Sequence, residues 1–293
     1  MQITASMVKE LRERTGSGMM ECKKALQETD GDIEVAIENM RKAGMAKADK
    51  KSGRIAAEGR VVIEISEDKK SAAVVEVNCE TDFLSGGDEF LSFVKAIAKT
   101  VLANKPADIA ALSEMTLDGS SVTVEEERKA KIAKIGENMQ LRRFEVLETE
   151  NGAFGSYSHG TRMGVLVKME NGNDTLMKDV AMHIAASNPL CVSEANVPAE
   201  VLEKEKEILR AQALESGKPA DIVEKMLTGR VRKYLAEITL LGQQFVKNPD
   251  MTVEALLSDA GATVNNFVRY EVGEGIEKKV ENFADEVKAQ MGG

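Results

Sequence analysis

The chain has 293 residues, 43% of them hydrophobic and 30% charged, a composition that excludes a disordered or fibrous protein. Aromatics are scarce: three Tyr, eight Phe and no Trp stand against fifteen Met, so the core must be largely aliphatic and thioether, and an exposed ring would stand out. The net charge of −10 argues against a general phosphate-binding surface and hence against nucleic acid as a partner.

At ~150 residues per domain the length suggests about two domains. No run approaches the ~18 consecutive apolar residues of a membrane span, and the N-terminus lacks a basic region followed by an apolar stretch, so a cytoplasmic location is expected. Cys22, Cys79 and Cys191 are odd in number and widely spaced, as buried thiols are in a reducing compartment. Without a CxxC pair a structural zinc site is not expected. Charge is uneven along the chain: residues 1–60 hold twelve Lys and Arg against ten Asp and Glu.

Three short amphipathic helices are expected first. Ile3, Met7, Val8 and Leu11 share a stripe behind the cap candidate Thr4, and Thr15-Gly16-Ser17-Gly18 breaks it. Met19, Cys22, Ala25 and Leu26 start the second, and Asp30-Gly31-Asp32 ends it. Ile33, Ala36, Ile37 and Met40 mark the third, which Gly44 is expected to end, and a basic linker follows from Lys47 to Gly59.

The period then changes. Arg60–Ser66 and Ala72–Asn78 are β-rich runs around the turn Glu67–Lys70, hence a hairpin. A loop spans Glu80–Asp88, and Phe90–Ala103 is helical. The order recurs: Phe144–Glu148, Phe154–Tyr157 and Met163–Met169 read as strands, and Leu176–Ser187 as a helix. The two helices end alike, AKTVLANKP from Ala98 and AMHIAASNP from Ala181, which implies two related strand–helix units. Val201 to Leu214 and Ile222 to Ile238 carry heptad-like stripes around Gly217-Lys218-Pro219 and read as a projecting helical hairpin. Asn266–Val272 is a returning strand, and Ile276–Met291 a terminal amphipathic helix. The fold class is α+β: residues 1–54 form the helical domain, 55–140 one core subdomain, and 141–192 with 242–272 the other. Residues 193–241 form the hairpin and 273–293 the C-terminal module.

Little in the sequence suggests chemistry. His183 is in phase with Val180 and Ile184, as a packed helix histidine would be, while His159 occupies a loop between strands. No GxxxxGK[ST] is present, so no nucleotide site of the chain's own is expected. Gly273-Glu274-Gly275 lacks the third glycine of a dinucleotide fingerprint and leaves 18 residues after it, too few for a βαβ unit. The chain reads as a binding protein without cofactor or metal. The segment Glu76-Val77-Asn78-Cys79-Glu80-Thr81-Asp82-Phe83-Leu84 passes from a buried-looking strand into a polar loop that carries a phenylalanine. Phe83 either folds back onto the core or meets a partner.

Those nine residues resemble the signature of bacterial translation elongation factor Ts, whose usual form is E-V-N-C-Q-T-D-F-V. The resemblance extends through Leu11–Leu26, Ala133–Asn138, Gly155–Gly160, Met182–Ala186 and Val272–Ile276. Leu84 replaces the usual Val, and Gly86-Gly87 stands where the family often has a basic residue. The family implies a guanine-nucleotide exchange factor, not an enzyme, for the GTPase elongation factor Tu. It also implies a ubiquitin-associated-like N-terminal bundle, a core of two related subdomains, a coiled-coil hairpin associated with dimerisation, and a C-terminal helical module. By the same resemblance Thr81, Asp82, Phe83 and Leu84 disturb the partner's magnesium site, and Arg12, Met19, Met20, Lys23, Ile135, Gly136 and His159 are further contacts. For Met19 and Met20, core packing of the small bundle is the competing reading. Rival functions are an adaptor for a ubiquitin-like partner and a metal-dependent enzyme using His159 and His183.

Overall fold

The computed structural model describes residues 3–215 and 220–277. The Gly217-Lys218-Pro219 turn and the expected terminal helix beyond residue 277 lie outside them. The chain is mixed helix and sheet and opens with α1 (Ala5–Thr15), α2 (Met19–Glu28) and α3 (Ile33–Lys51). The Thr4 hydroxyl accepts the Met7 amide and caps α1, and Gly16 ends it at φ 66°, where a Cβ would be strained. Val8, Leu11, Cys22, Ala25, Leu26 and Ala36 close over one another as a small separate core.

Next come β1 (Glu58–Ile65), β2 (Ser71–Cys79), α4 (Asp82–Gly86), α5 (Asp88–Asn104), α6 (Ile109–Glu114), α7 (Val124–Ile135) and β3 (Met139–Glu148). The second half runs β4 (Ala153–His159), β5 (Met163–Glu170), α8 (Asp174–Ser187), α9 (Ala199–Glu215), α10 (Ala220–Ile238), β6 (Gln244–Phe245), β7 (Asn248–Thr252), α11 (Val253–Asp259) and β8 (Thr263–Glu271). The two larger sheets are antiparallel, with strand orders β1-β2-β3 and β4-β5-β8. Phe144–Glu148 therefore does not open the second unit: it belongs to β3, which closes the first sheet, and the expected break at residue 140 falls inside this strand. Periodicity identifies a strand but not its neighbour, and only pairing with β2 assigns β3.

β2 is buried on both faces. Ala73, Val75, Val77 and Cys79 lie under Phe90, Val94 and Ile97 of α5, and Ala72 and Val74 meet Leu166 of β5 and Val268 of β8. On the far side of the second sheet, Val165 and Val167 pack on Val180 and Ile184 of α8. The stack is helix, sheet, sheet, helix, which explains why β2 carries the continuous apolar run Ala72–Val75 and has no face turned to solvent. Between the sheets sits Glu76, fully buried. Its carboxylate accepts from Arg142 at 2.9 Å, Arg143 at 2.6 Å and the Gly273 amide at 2.9 Å. A bulge in the β2–β3 ladder sets Glu76 opposite Arg143 and Val77 opposite Leu141, so Arg142 is the extra residue.

The expected stop at Gly44 is corrected: α3 runs through it to Lys51 and takes up the first part of the expected linker. A Cβ on Gly44 would lie 3.1 Å from the Ala133 Cβ, so glycine here is the close-approach point of α3 against α7. At the base of the α9–α10 hairpin, Cys191 bridges Thr239 in parallel. On the hairpin Val223 and Leu227 are buried, whereas Ile208 and Ile222 are exposed. Among the described residues no helix is long and apolar enough to cross a membrane.

Candidate partner-binding site

Between β2 and α5 the expected loop contains one turn of helix, α4. Thr81 is its N-cap, with Oγ1 accepting the Leu84 amide at 3.3 Å, and the Gly87 amide donates to the Leu84 carbonyl at 3.0 Å. Leu84 turns inward onto the first core, Asp82 is exposed, and Phe83 is 89% exposed. The ring therefore does not fold back onto the protein. Leaving so much apolar area in water forgoes burial worth about 1.5–3 kcal/mol, which a partner's surface can recover.

This short helix is held on several sides. The Thr81 hydroxyl donates to Glu137 Oε1 at 2.8 Å, and the Thr81 amide donates to Glu137 Oε2 at 3.0 Å. The guanidinium of Arg60 on β1 donates to the Ser85 carbonyl. Glu80 accepts the Asn138 amide at 2.6 Å, and the Asn138 side chain donates to the Arg54 carbonyl at 2.8 Å. The Cys79 thiol donates to the Thr81 carbonyl at 3.2 Å; burial, and secondarily the nearby Glu137 charge, push its pKa up to about 12, so it remains a thiol donor. Cys79, Glu80, Glu137, Asn138 and Arg60 were not singled out from sequence as site residues, although all but Arg60 fall in or beside the quoted signature stretches.

Ile135 and Gly136 end α7 immediately before Glu137, so they share an edge with α4. Ile135 is half-buried on the first core, and Gly136, at φ 92°, is the helix cap whose carbonyl accepts from Lys51. His159 ends β4, exposed, with its Nδ1 3.2 Å from the Tyr157 hydroxyl. Its turn abuts β1, where the Val61 amide donates to the Thr161 carbonyl at 3.1 Å, one residue from Arg60.

Arg12 lies on α1, and Met19, Met20 and Lys23 lie on α2. All four are exposed, Met20 at 77%, and neither methionine belongs to the bundle core. The bundle meets the rest of the chain where α3 packs on α7. Adaptable thioethers on an outer face suit a protein surface.

His183 is fully buried. Its Nδ1 accepts the Val246 amide at 3.1 Å, which leaves Nε2–H to donate to Gln243 Oε1 at 2.9 Å, and burial lowers its pKa below the ordinary 6.5. Both ring nitrogens are thus committed to the packing of α8. Among the described residues no three His, Cys, Asp or Glu side chains converge to hold a metal ion. The arrangement offers an exposed ring on a fixed pedestal, which is the equipment of a binding surface.

The family model described as "Elongation factor TS" matches residues 80–274, from the residue before Thr81 to the end of the Glu76 network. The chain is 64% identical over 294 residues to elongation factor Ts of Thioalkalivibrio sulfidiphilus (strain HL-EbGR7), with all of both chains covered. It is 61% identical over 293 residues to that of Methylococcus capsulatus (strain ATCC 33009 / NCIMB 11132 / Bath), covering 99% of each. To that of Legionella pneumophila (strain Paris) it is 53% identical over 289 residues, covering 99% of this chain and 98% of the other. With a family model matching two thirds of the chain and relatives matching end to end, the chain belongs to the elongation factor Ts family.

Proposed function

We propose that the chain is a guanine-nucleotide exchange factor for elongation factor Tu in translation elongation, acting in the cytoplasm, and that α4 is its working element. The observation that carries this reading is Phe83, 89% exposed on a helix whose neighbours are pinned by Glu137 and Arg60. A GTPase retains GDP through its phosphate loop and a magnesium ion, so release is slow until that cradle is disturbed. Phe83 enters the partner's surface as a rigid apolar wedge with few rotamers to lose, and Asp82 beside it accepts hydrogen bonds from the same edge. Met19 and Met20 on the bundle, with Arg12 and Lys23, give the complex a second foothold, and Ile135, Gly136 and His159 extend the first.

No covalent step is involved. Binding of this chain and binding of GDP weaken each other by the same free energy, because the partner cannot hold both in their preferred geometry. Excess GTP then displaces the factor. The test is stopped-flow release of fluorescent GDP from preloaded elongation factor Tu. Phe83→Ala is expected to lower the release rate at saturating factor on the order of tenfold or more while leaving the melting midpoint unchanged. A variant that accelerates release like the wild type would remove the wedge from the mechanism.

A further inference from the structure

One turn of helix is not stable alone, since nucleation costs more than a single hydrogen bond returns. The exposed ring on α4 is therefore only as well aimed as its supports. We infer that Glu137 is the positioning residue that keeps α4, and with it Phe83, in the conformation a partner meets. This rests on the reading of α4 as the exchange element.

The argument lies in the hydroxyl of Thr81. It has one proton and two lone pairs, and the cap requires a lone pair toward the Leu84 amide. The Glu137 carboxylate only accepts: it takes the hydroxyl proton at 2.8 Å and so frees the lone pair for capping. Its other oxygen takes the Thr81 amide at 3.0 Å, so both contacts are assisted by a formal charge. The carboxylate itself is aimed by its neighbours. Gly136 closes α7 in the left-handed region and its carbonyl accepts from Lys51, while Asn138 donates from its amide to Glu80 and from its side chain to the Arg54 carbonyl. The strap 136–138 thus ties α4 to the segment by which the bundle leaves α3.

The experiment compares Glu137→Ala and Glu137→Gln in the full chain, reading both the GDP release rate at saturation and the half-saturating concentration. Glu137→Ala removes both acceptors and is expected to lower the saturating rate by roughly tenfold, with the half-saturating concentration within about twofold of wild type. Glu137→Gln keeps one carbonyl acceptor, and its loss is expected to stay within about threefold. A wild-type saturating rate in Glu137→Ala, or an equal loss in the two variants, overturns the inference. Should Glu137→Ala melt within the assay range, the decision passes to Glu137→Gln with hydrogen exchange at the Leu84 amide. Faster exchange together with slower release supports positioning, and slower release without faster exchange contradicts it. If Phe83→Ala itself leaves release unaltered, the reading of α4 falls and this inference falls with it. If Phe83→Ala slows release and Glu137→Ala does not, only the role of Glu137 is lost.

Discussion

The two three-stranded halves of the molecule share an order, strand, strand, helix, a helical insertion and a final strand, and differ in how the second strand reaches its helix. In the second half Asn171-Gly172-Asn173 makes the connection in three residues, with Asn173 capping α8 through the Leu176 amide at 2.8 Å. In the first half the path from Cys79 to Asp88 has eight residues between and contains α4 with its exposed ring. Helices α5 and α8 end alike, with Lys105 at φ 50° and Asn188 at φ 45°, each followed by proline. They also carry buried polar residues at matching positions: Thr100 Oγ1 accepts the Asp118 amide at 2.9 Å, and His183 Nδ1 accepts the Val246 amide at 3.1 Å. Each anchors the chain that follows its helix. The scaffold is thus laid out twice, and the longer connection of the first half carries the exposed ring proposed above as the working element, as expected when rigid elements support a working loop.

The comparison can be broken first at what joins the halves. Glu76→Ala leaves Arg142 and Arg143 without their common partner between the sheets, and thermal unfolding should show a loss of about 3 kcal/mol, the lower end for a broken buried pair because both arginines are partly exposed. A loss below about 1 kcal/mol would mean that apolar packing alone holds the sheets together. A smaller effect is expected at the shorter connection. Asn173→Ala removes the α8 cap and should cost about 1 kcal/mol of stability with no change in GDP release. Impaired release in that variant would show that the shorter connection also contributes to exchange. The smallest effect is sought in His183→Gln. The fold holds the imidazole neutral with its pKa below 6.5, so in acid the unfolded chain binds the extra proton. The His183 contribution to stability is full above 6.5 and is lost as pH falls from there toward the folded value. Melting midpoints across that window should fall less steeply in the variant, and parallel slopes would mean another group titrates.

Much of this was legible in residues. Thr4, the glycines after Thr15 and the Asp30-Gly31-Asp32 break locate the first helices because capping and left-handed turns are local chemistry. The signature around Phe83 pointed to the candidate site through resemblance to a family, not through local chemistry. Gly44 misled: a glycine at a helix end and one at a close contact look alike until the second helix is known, and here that helix is α7. Phe144 misled too, since a strand's sheet is decided by its partner. Glu137 escaped notice because it is 56 residues from Thr81 and one of 49 acidic residues.

By itself, the sequence determined the α+β class, the three N-terminal helices, the recurrence of strands and helix, and the family to which the chain belongs. The first three depend on spacing and on side chains acting within a few residues of one another, and the family rests on likeness to known sequences. Tertiary structure decided that Phe83 faces outward, that Glu137 and Arg60 hold its helix, that Glu76 is paired between the sheets and that α3 continues past Gly44. Each of these depends on which distant segments come to lie within hydrogen-bond or van der Waals reach, and that is a property of the packed chain.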